Sequence, residues 1–210
     1  MGRALASTSV KDARALGWTD VGTDEAELVQ RCAAGDEVAC AELVAQHQRM
    51  VYQLAFHLLG NREEALDLSQ EVFLRVFRTV GSFRGHSSLR TWMYRIVVNQ
   101  ARNRQRWWRR RRQSDQVSLD QHVVDHGELR QPGDDAAPDR VLARKQTARR
   151  LWQALDRLPF DQRTAIVLRE FDGLSYDEIA FSLDIAVGTV KSRLTRARHA
   201  LRTDLMESRL

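Results

Sequence analysis

Between Phe83 and Arg112 the chain runs without a break from a polar loop into a helix-periodic segment and then into a tract dense in arginine. No other stretch limits the fold as much. Leu89, Trp92, Met93, Ile96 and Val97 recur at i, i+3, i+4, i+7 and i+8, so one face of a helix is built to be buried. Arg90, Arg95, Asn99 and Arg102 lie wholly or partly off that face, and a packed helix must present them outward. From Arg102 to Arg112 there are seven arginines and no acid, interrupted by Trp107 and Trp108. Guanidinium with indole grips phosphates and stacks on exposed bases. An arginine run alone would read as a solvated tail or a localisation signal; joined to a loop and an apolar-faced helix, it points to a positioned surface for nucleic acid.

The segments on either side are also helical in pattern. From Thr23 or Asp24, Ala26, Leu28, Val29, Cys32 and Ala33 mark a helix that stops at Gly35, and Asp36 caps the next, which runs to Gly60. Asn61 opens a third, with Leu66, Leu68, Val72, Phe73, Val76, Phe77 and Val80 as its apolar stripe and Gly81 as its end. Ser87 or Ser88 then caps the helix that begins at Leu89. Residues 24–112 are therefore expected to form one all-α domain.

Beyond it the pattern fades. Residues 113–139 hold seven acids against the single base Arg130, together with Pro132, Gly133 and Pro138, the composition of a flexible acidic linker; a DNA-mimicking, autoinhibitory or channel-threading segment is the alternative. Helical periodicity returns at Val141, breaks at Pro159 and resumes to Gly173. Ser175-Tyr-Asp-Glu178 then has the form of a capping box, Asp184-Ile-Ala186 a tight turn, and Val187, Val190, Leu194, Ala197 and Leu201 a second apolar stripe. No acid lies between Ala186 and Thr203. A short helix, a three-residue turn and a basic helix form a helix-turn-helix, whose second helix enters the major groove. The expected architecture is thus all-α: an N-terminal extension (1–23), a helical bundle (24–112), the linker (113–139) and a helix-turn-helix domain (140–210).

Composition sets outer limits. Two hundred and ten residues, 43% apolar and 29% charged, suit one large or two small domains, and the net charge of +5 permits a polyanionic partner. No apolar run has the length of a membrane span and the N-terminus lacks a signal-peptide core, so the expectation is a cytoplasmic chain without membrane insertion. Cys32 and Cys40 read as reduced, structural residues. No P-loop, Rossmann glycine pattern or nucleophile elbow is present, and His47, His57, His86, His122, His126 and His199 are scattered. Neither a catalytic residue, a cofactor nor a metal site is expected.

Five segments carry a resemblance to a known family. Asp67-Leu-Ser-Gln-Glu-Val-Phe-Leu-Arg-Val-Phe77 resembles region 2.2 of bacterial RNA polymerase sigma factors of the extracytoplasmic-function (ECF) group, and Phe83 to Asn99 resembles regions 2.3 and 2.4. Leu158-Pro159 with Leu168 to Ala180, and Val187 to Arg198, are similar to region 4. The 23-residue extension and the dense Trp107–Arg112 tail depart from the family pattern. The resemblance implies a sigma factor that binds core polymerase, at the β′ coiled coil and β flap, and directs initiation from −35 and −10 elements. It implies core contacts at Asp67, Leu68, Gln70, Glu71, Phe73 and Leu74. It implies −10 contacts at Phe83, Arg84, His86, Ser87, Arg90, Trp92, Arg95, Asn99, Arg102, Arg104 and Arg106, with Asn99 and the loop forming a pocket for an extruded base. For Trp92 two readings stay open, core residue at the helix edge or aromatic wall beside the melted strand. The −35 contacts would be Thr189, Lys191, Ser192, Arg193, Thr195 and Arg196. An anti-sigma factor is the further partner the family implies. The competing reading is a freestanding helix-turn-helix regulator, which residues 160–205 alone would also fit.

Overall fold

The computed structural model describes residues 23–114 and 138–207. The expected extension up to residue 22, most of the expected acidic linker, and His122 and His126 lie outside the described residues. Every regular element within them is helical: α1 Thr23–Ala33, α2 Glu37–Leu59, α3 Arg62–Thr79, a 3-10 turn Val80–Ser82, α4 Leu89–Ser114, α5 Pro138–Arg157, α6 Phe160–Glu170, α7 Tyr176–Leu183 and α8 Val187–Glu207.

The breaks fall where side chains satisfy helix ends. Asp36 accepts from the backbone N–H groups of Val38 and Ala39 at the start of α2, and Gly60, at φ 70°, closes it in the left-handed conformation. Asn61 accepts from the Glu64 N–H at 3.0 Å to open α3. This helix ends at Thr79 rather than Gly81, and Val80–Ser82 tightens into the 3-10 turn against α1, with Gly81 beside Ala33. Cys32 is buried and Cys40 half-buried; burial, with the neighbouring Cys40 thiol, pushes the Cys32 thiol up to about 12, as suits a packed, unreactive side chain.

In the first half, α2 packs on α3 and α4 around Leu43, Leu54, Leu58, Leu68, Val72, Met93 and Val97. The α3 stripe differs from its sequence reading in two places. Leu66 is 47% and Phe77 37% exposed, whereas Ala65 and Val76 are fully buried. Leu66 and Phe77 stand one residue past those inward positions, about 100° around a helix of 3.6 residues per turn, and so miss the core.

In the second half, α6, α7 and α8 enclose Ile166, Leu168, Ile179, Val190 and Leu194, with α5 laid on α8. The capping box forms: the Ser175 N–H donates to Glu178 at 2.8 Å and the Glu178 N–H to Ser175 Oγ at 3.2 Å. Asp184, at φ 56°, takes the left-handed conformation that turns α7 into α8.

The two halves pack together through α4 against α7 and α2 against α6. His57 of α2 stacks on Trp152 of α5, with centroids 4.6 Å apart, and lies 5.0 Å from Phe171 at the end of α6. The packing of α4 on α7, with Tyr94 bonded to Asp172, adds to α4 a buried side that its spacing did not predict. Tyr94 and Val98, one turn apart off the expected apolar face, are fully buried as well as Leu89, Met93 and Val97.

Candidate nucleic-acid interface

Ser88 starts the central helix by accepting from the Thr91 N–H at 3.1 Å, and its hydroxyl lies 2.8 Å from that of Thr91. From there Trp92, Arg95, Ile96, Asn99, Gln100 and Asn103 follow at i, i+3, i+4, i+7, i+8 and i+11, so they share one strip of α4. Opposite them, Arg75 and Thr79 of α3 and Ser82 of the 3-10 turn complete a cavity of about 510 Å³. One indole, three amides, two guanidiniums and two hydroxyls border it. Amides offer donors and acceptors together, the indole offers a face, and guanidiniums offer charge for a phosphate.

The core-edge reading of Trp92 describes its packing, and the ring also has a free side. Its ring is half-buried at the core edge, packs at 5.5 Å and 58° against Phe83, and also lines the cavity. Arg84 and His86 are exposed in the loop beside it. Ser87 is not: it is only 2% exposed and donates to the Ser88 carbonyl, so it shapes the loop from inside. Arg75, Thr79, Ser82, Gln100 and Asn103 were missed by the sequence reading. Their signal was available as polar positions of α3 and α4 off both apolar stripes, but only the helix pairing shows that they converge.

Several arginines expected to contact the −10 element have partners within the protein. Arg104 is held by Glu64 at 2.6 Å and Glu71 at 2.5 Å, and also donates to the Glu64 carbonyl, which clamps α4 to α3 instead of facing a strand. Arg95 pairs with Asp184 at 3.3 Å and lies over the Phe181 ring. Arg102 pairs with Asp161 at 3.2 Å and lies over Phe160. Arg90 donates to the Tyr94 hydroxyl at 2.9 Å, and Tyr94 donates to Asp172 at 3.0 Å. Burial pushes the Asp172 carboxyl up to about 6, against the opposing pull of the Tyr94 hydrogen bond and the Arg90 charge. Arg106 is exposed farther along α4.

On α8, Val190, Leu194 and Ala197 are buried, and Lys191, Thr195 and Arg196 stand exposed on the other side. Thr189 and Ser192 are half-buried, the latter donating to the Thr189 carbonyl at 2.9 Å. Arg193 turns inward to Asp161 at 3.0 Å. A third surface lies on α3, where Asp67, Gln70, Glu71 and Leu74 are exposed alongside Leu66 and Phe77. Leu68 and Phe73, read as part of that surface, are 0% and 7% exposed; they fill the core on the opposite side of the helix.

Comparison with known proteins meets this geometry at both ends of the chain. The family model for sigma-70 region 2 matches residues 43–114, and that for sigma-70 region 4 matches residues 148–201. The chain is 37% identical over 175 residues to the RNA polymerase sigma-H factor of Pseudomonas aeruginosa, covering 83% of this chain and 90% of that protein. It is 37% identical over 176 residues to the ECF RNA polymerase sigma-E factor of Escherichia coli K12, with the same coverage. Among solved structures, it is similar to the sigma factor RpoE of Bartonella quintana, crystallised in complex with the anti-sigma factor NepR. The TM-score is 0.62 at 26% identity, over 79% of this chain and 96% of that one. Both halves match in the family's order, which a freestanding regulator with only the C-terminal helix pair would not do. The chain belongs to the sigma-70 family, in the ECF group of factors that direct promoter-specific initiation by RNA polymerase.

Proposed function

We propose that the two halves divide promoter recognition between an opened strand and a closed duplex. The α3–α4 cavity, with Trp92, Asn99, Gln100 and Asn103, takes an extruded base of the −10 element, and Arg75 and Arg95 meet its flanking phosphates. The exposed ridge of Lys191, Thr195 and Arg196, with Thr189 and Ser192 beside it, reads the −35 duplex in the major groove. Asp67, Gln70, Glu71 and Leu74 dock the first half on the polymerase β′ coiled coil, and the second half meets the β flap. The acids of that face suit a protein partner and not DNA, since like charges repel. An anti-sigma factor is a fitting further partner, because the Bartonella quintana relative was crystallised with one.

Unstacking DNA costs a few kcal/mol per step, so a chain that supplies no fuel must recover that cost by holding single strand better than duplex. The cavity is the observation that carries this reading: it is concave, polar and walled by an indole, which suits a single base better than a stacked pair. Phosphodiester chemistry belongs to the polymerase, and this chain contributes position and sequence choice.

Transcription by core polymerase on a randomised promoter library tests the assignment. Asn99→Ala is expected to lose about tenfold discrimination at one −10 position, the scale of one good base contact, while core binding persists. Unchanged selectivity at every −10 base would overturn the pocket.

A further inference from the structure

Past Arg104, α4 carries a set of residues that the base pocket does not use. Arg90, Arg95, Arg102 and Arg104 are each bonded within the protein. Arg106 and Arg110 differ: both are exposed, and neither makes an ion pair among the described residues. Between them Trp107 is 49% exposed, with the Arg111 guanidinium 5.1 Å from its ring centroid, so the indole is braced on one side and still open to solvent. Helical phase places these residues. Counting about 100° per residue from Trp92, the positions of Asn99, Asn103, Arg106, Trp107 and Arg110 all fall within about 60° of one line down the helix. The polar strip that lines the cavity therefore does not stop at Asn103. It continues as an exposed ridge, and from Asn99 to Arg110 it covers about 16 Å at 1.5 Å per residue.

We infer that the ridge of Asn103, Arg106, Trp107 and Arg110 is a track for single-stranded DNA, continuous with the α3–α4 cavity, that holds the strand beside the extruded base without regard to its sequence. This rests on the reading of the cavity as a base pocket. Charge alone would suit any polyanion, and the indole decides for an opened strand. A duplex keeps its base faces inside the stack, whereas a single strand offers one to each exposed ring. Arg106 and Arg110 flank Trp107 along the ridge, as phosphates flank a base, and guanidiniums are the side chains suited to phosphate oxygens. Every base has a π-face, so the track is indifferent to sequence where the cavity is selective. Binding that does not depend on sequence then offsets part of the unstacking cost at any promoter, and leaves the choice of base to the cavity.

The test uses the full chain with fluorescein-labelled oligothymidylate and a labelled duplex of equal length, neither containing a −10 element, read by anisotropy over a salt series. Trp107→Ala is expected to weaken strand binding at least about fivefold, and Trp107→Phe to restore most of it, with little change for the duplex. Arg106→Gln combined with Arg110→Gln is expected to flatten the slope of log affinity against log salt by about 1.4, two phosphates at about 0.7 each on a single strand. Arg109→Gln, an exposed arginine about 100° off the ridge, is the charge control and should leave that slope in place. Unchanged strand binding by Trp107→Ala would overturn the track. Equal losses for strand and duplex, or a slope change matched by Arg109→Gln, would overturn it as well and leave only general attraction between charges. A parent chain without measurable strand binding at low salt would also overturn it, because the ridge is already exposed. The pocket fails separately: Asn99→Ala with full −10 selectivity on the promoter library would remove the cavity reading while the oligothymidylate result stands.

Discussion

Two arginine-rich amphipathic helices, α4 and α8, carry the residues proposed to face the promoter, yet they are built differently. On α8 a single narrow stripe, Val190, Leu194 and Ala197, is fully buried and the rest forms a ridge with Lys191, Thr195 and Arg196 on its crest. On α4 two sides are buried, by Leu89, Met93 and Val97 and by Tyr94 and Val98, and Arg95, Asn99, Gln100 and Asn103 form a strip that faces Arg75 and Thr79 across a cavity. A ridge suits a groove that already exists in closed DNA. A cavity needs a second element to wall it, and suits a base that must first be pulled from the stack. The difference teaches that similar composition serves opposite shapes, and that packing, not arginine content, decides which.

The comparison breaks first at the core. Tyr94→Ala is expected to cost about 3–5 kcal/mol in chemical denaturation and to loosen both halves together, as loss of a fully buried aromatic does, because Tyr94 is buried in the first half and bonded to Asp172 of the second. Leu194→Ala, also about 2–5 kcal/mol, should act on the second half alone and leave −10 selectivity in place. A smaller effect separates the readers themselves. Arg196→Ala should weaken −35-dependent transcription by about 1–3 kcal/mol without altering the −10 base preferred; a changed −10 preference would erase the division of labour.

The contact between halves should also respond to pH. Asp172, with its carboxyl pushed up to about 6 from an ordinary value of 3.8, binds its proton more tightly when packed than when the chain is unfolded. Its contribution is therefore fully present below about pH 3.8 and is lost as pH rises through about 6. Thermal melting of Asp172→Asn against the parent should show the variant gaining relative stability across that window; a difference flat with pH would refute the assignment. The smallest effect belongs to the exposed face of α3. Leu74→Ser, at a position 55% exposed, should change stability by less than about 0.5 kcal/mol while weakening capture of core polymerase in a pull-down.

Much of this was legible in the sequence because it rests on local rules. Asp36, Asn61, Ser88 and the Ser175–Glu178 box announce helix starts through their own hydrogen bonds, and the three-residue turn after Leu183 declares the helix-turn-helix. What failed was what depends on a second surface. Periodicity gave α4 one buried face because it cannot count how many neighbours a helix has, so Tyr94 was overlooked. It placed Leu66 and Phe77 inside because both are apolar, though they stand one position off the inward register. It assigned Arg104 to DNA because charge in a sequence carries no direction; only the pairing of α3 with α4 shows two glutamates waiting for it.

Arg104 has a mechanical side. α4 is 26 residues long, about 39 Å at 1.5 Å per residue, and Arg104 pins it to α3 by two carboxylates and a carbonyl at one place between Asn99 and Trp107. A rod fastened there behaves as a cantilever. Forces applied to the indole- and arginine-bearing arm beyond the pin are taken up at the fulcrum, and the cavity on the near side keeps its dimensions. The helix can thus lend its far end to whatever pulls on it with little change in the width of the cavity beside Asn99.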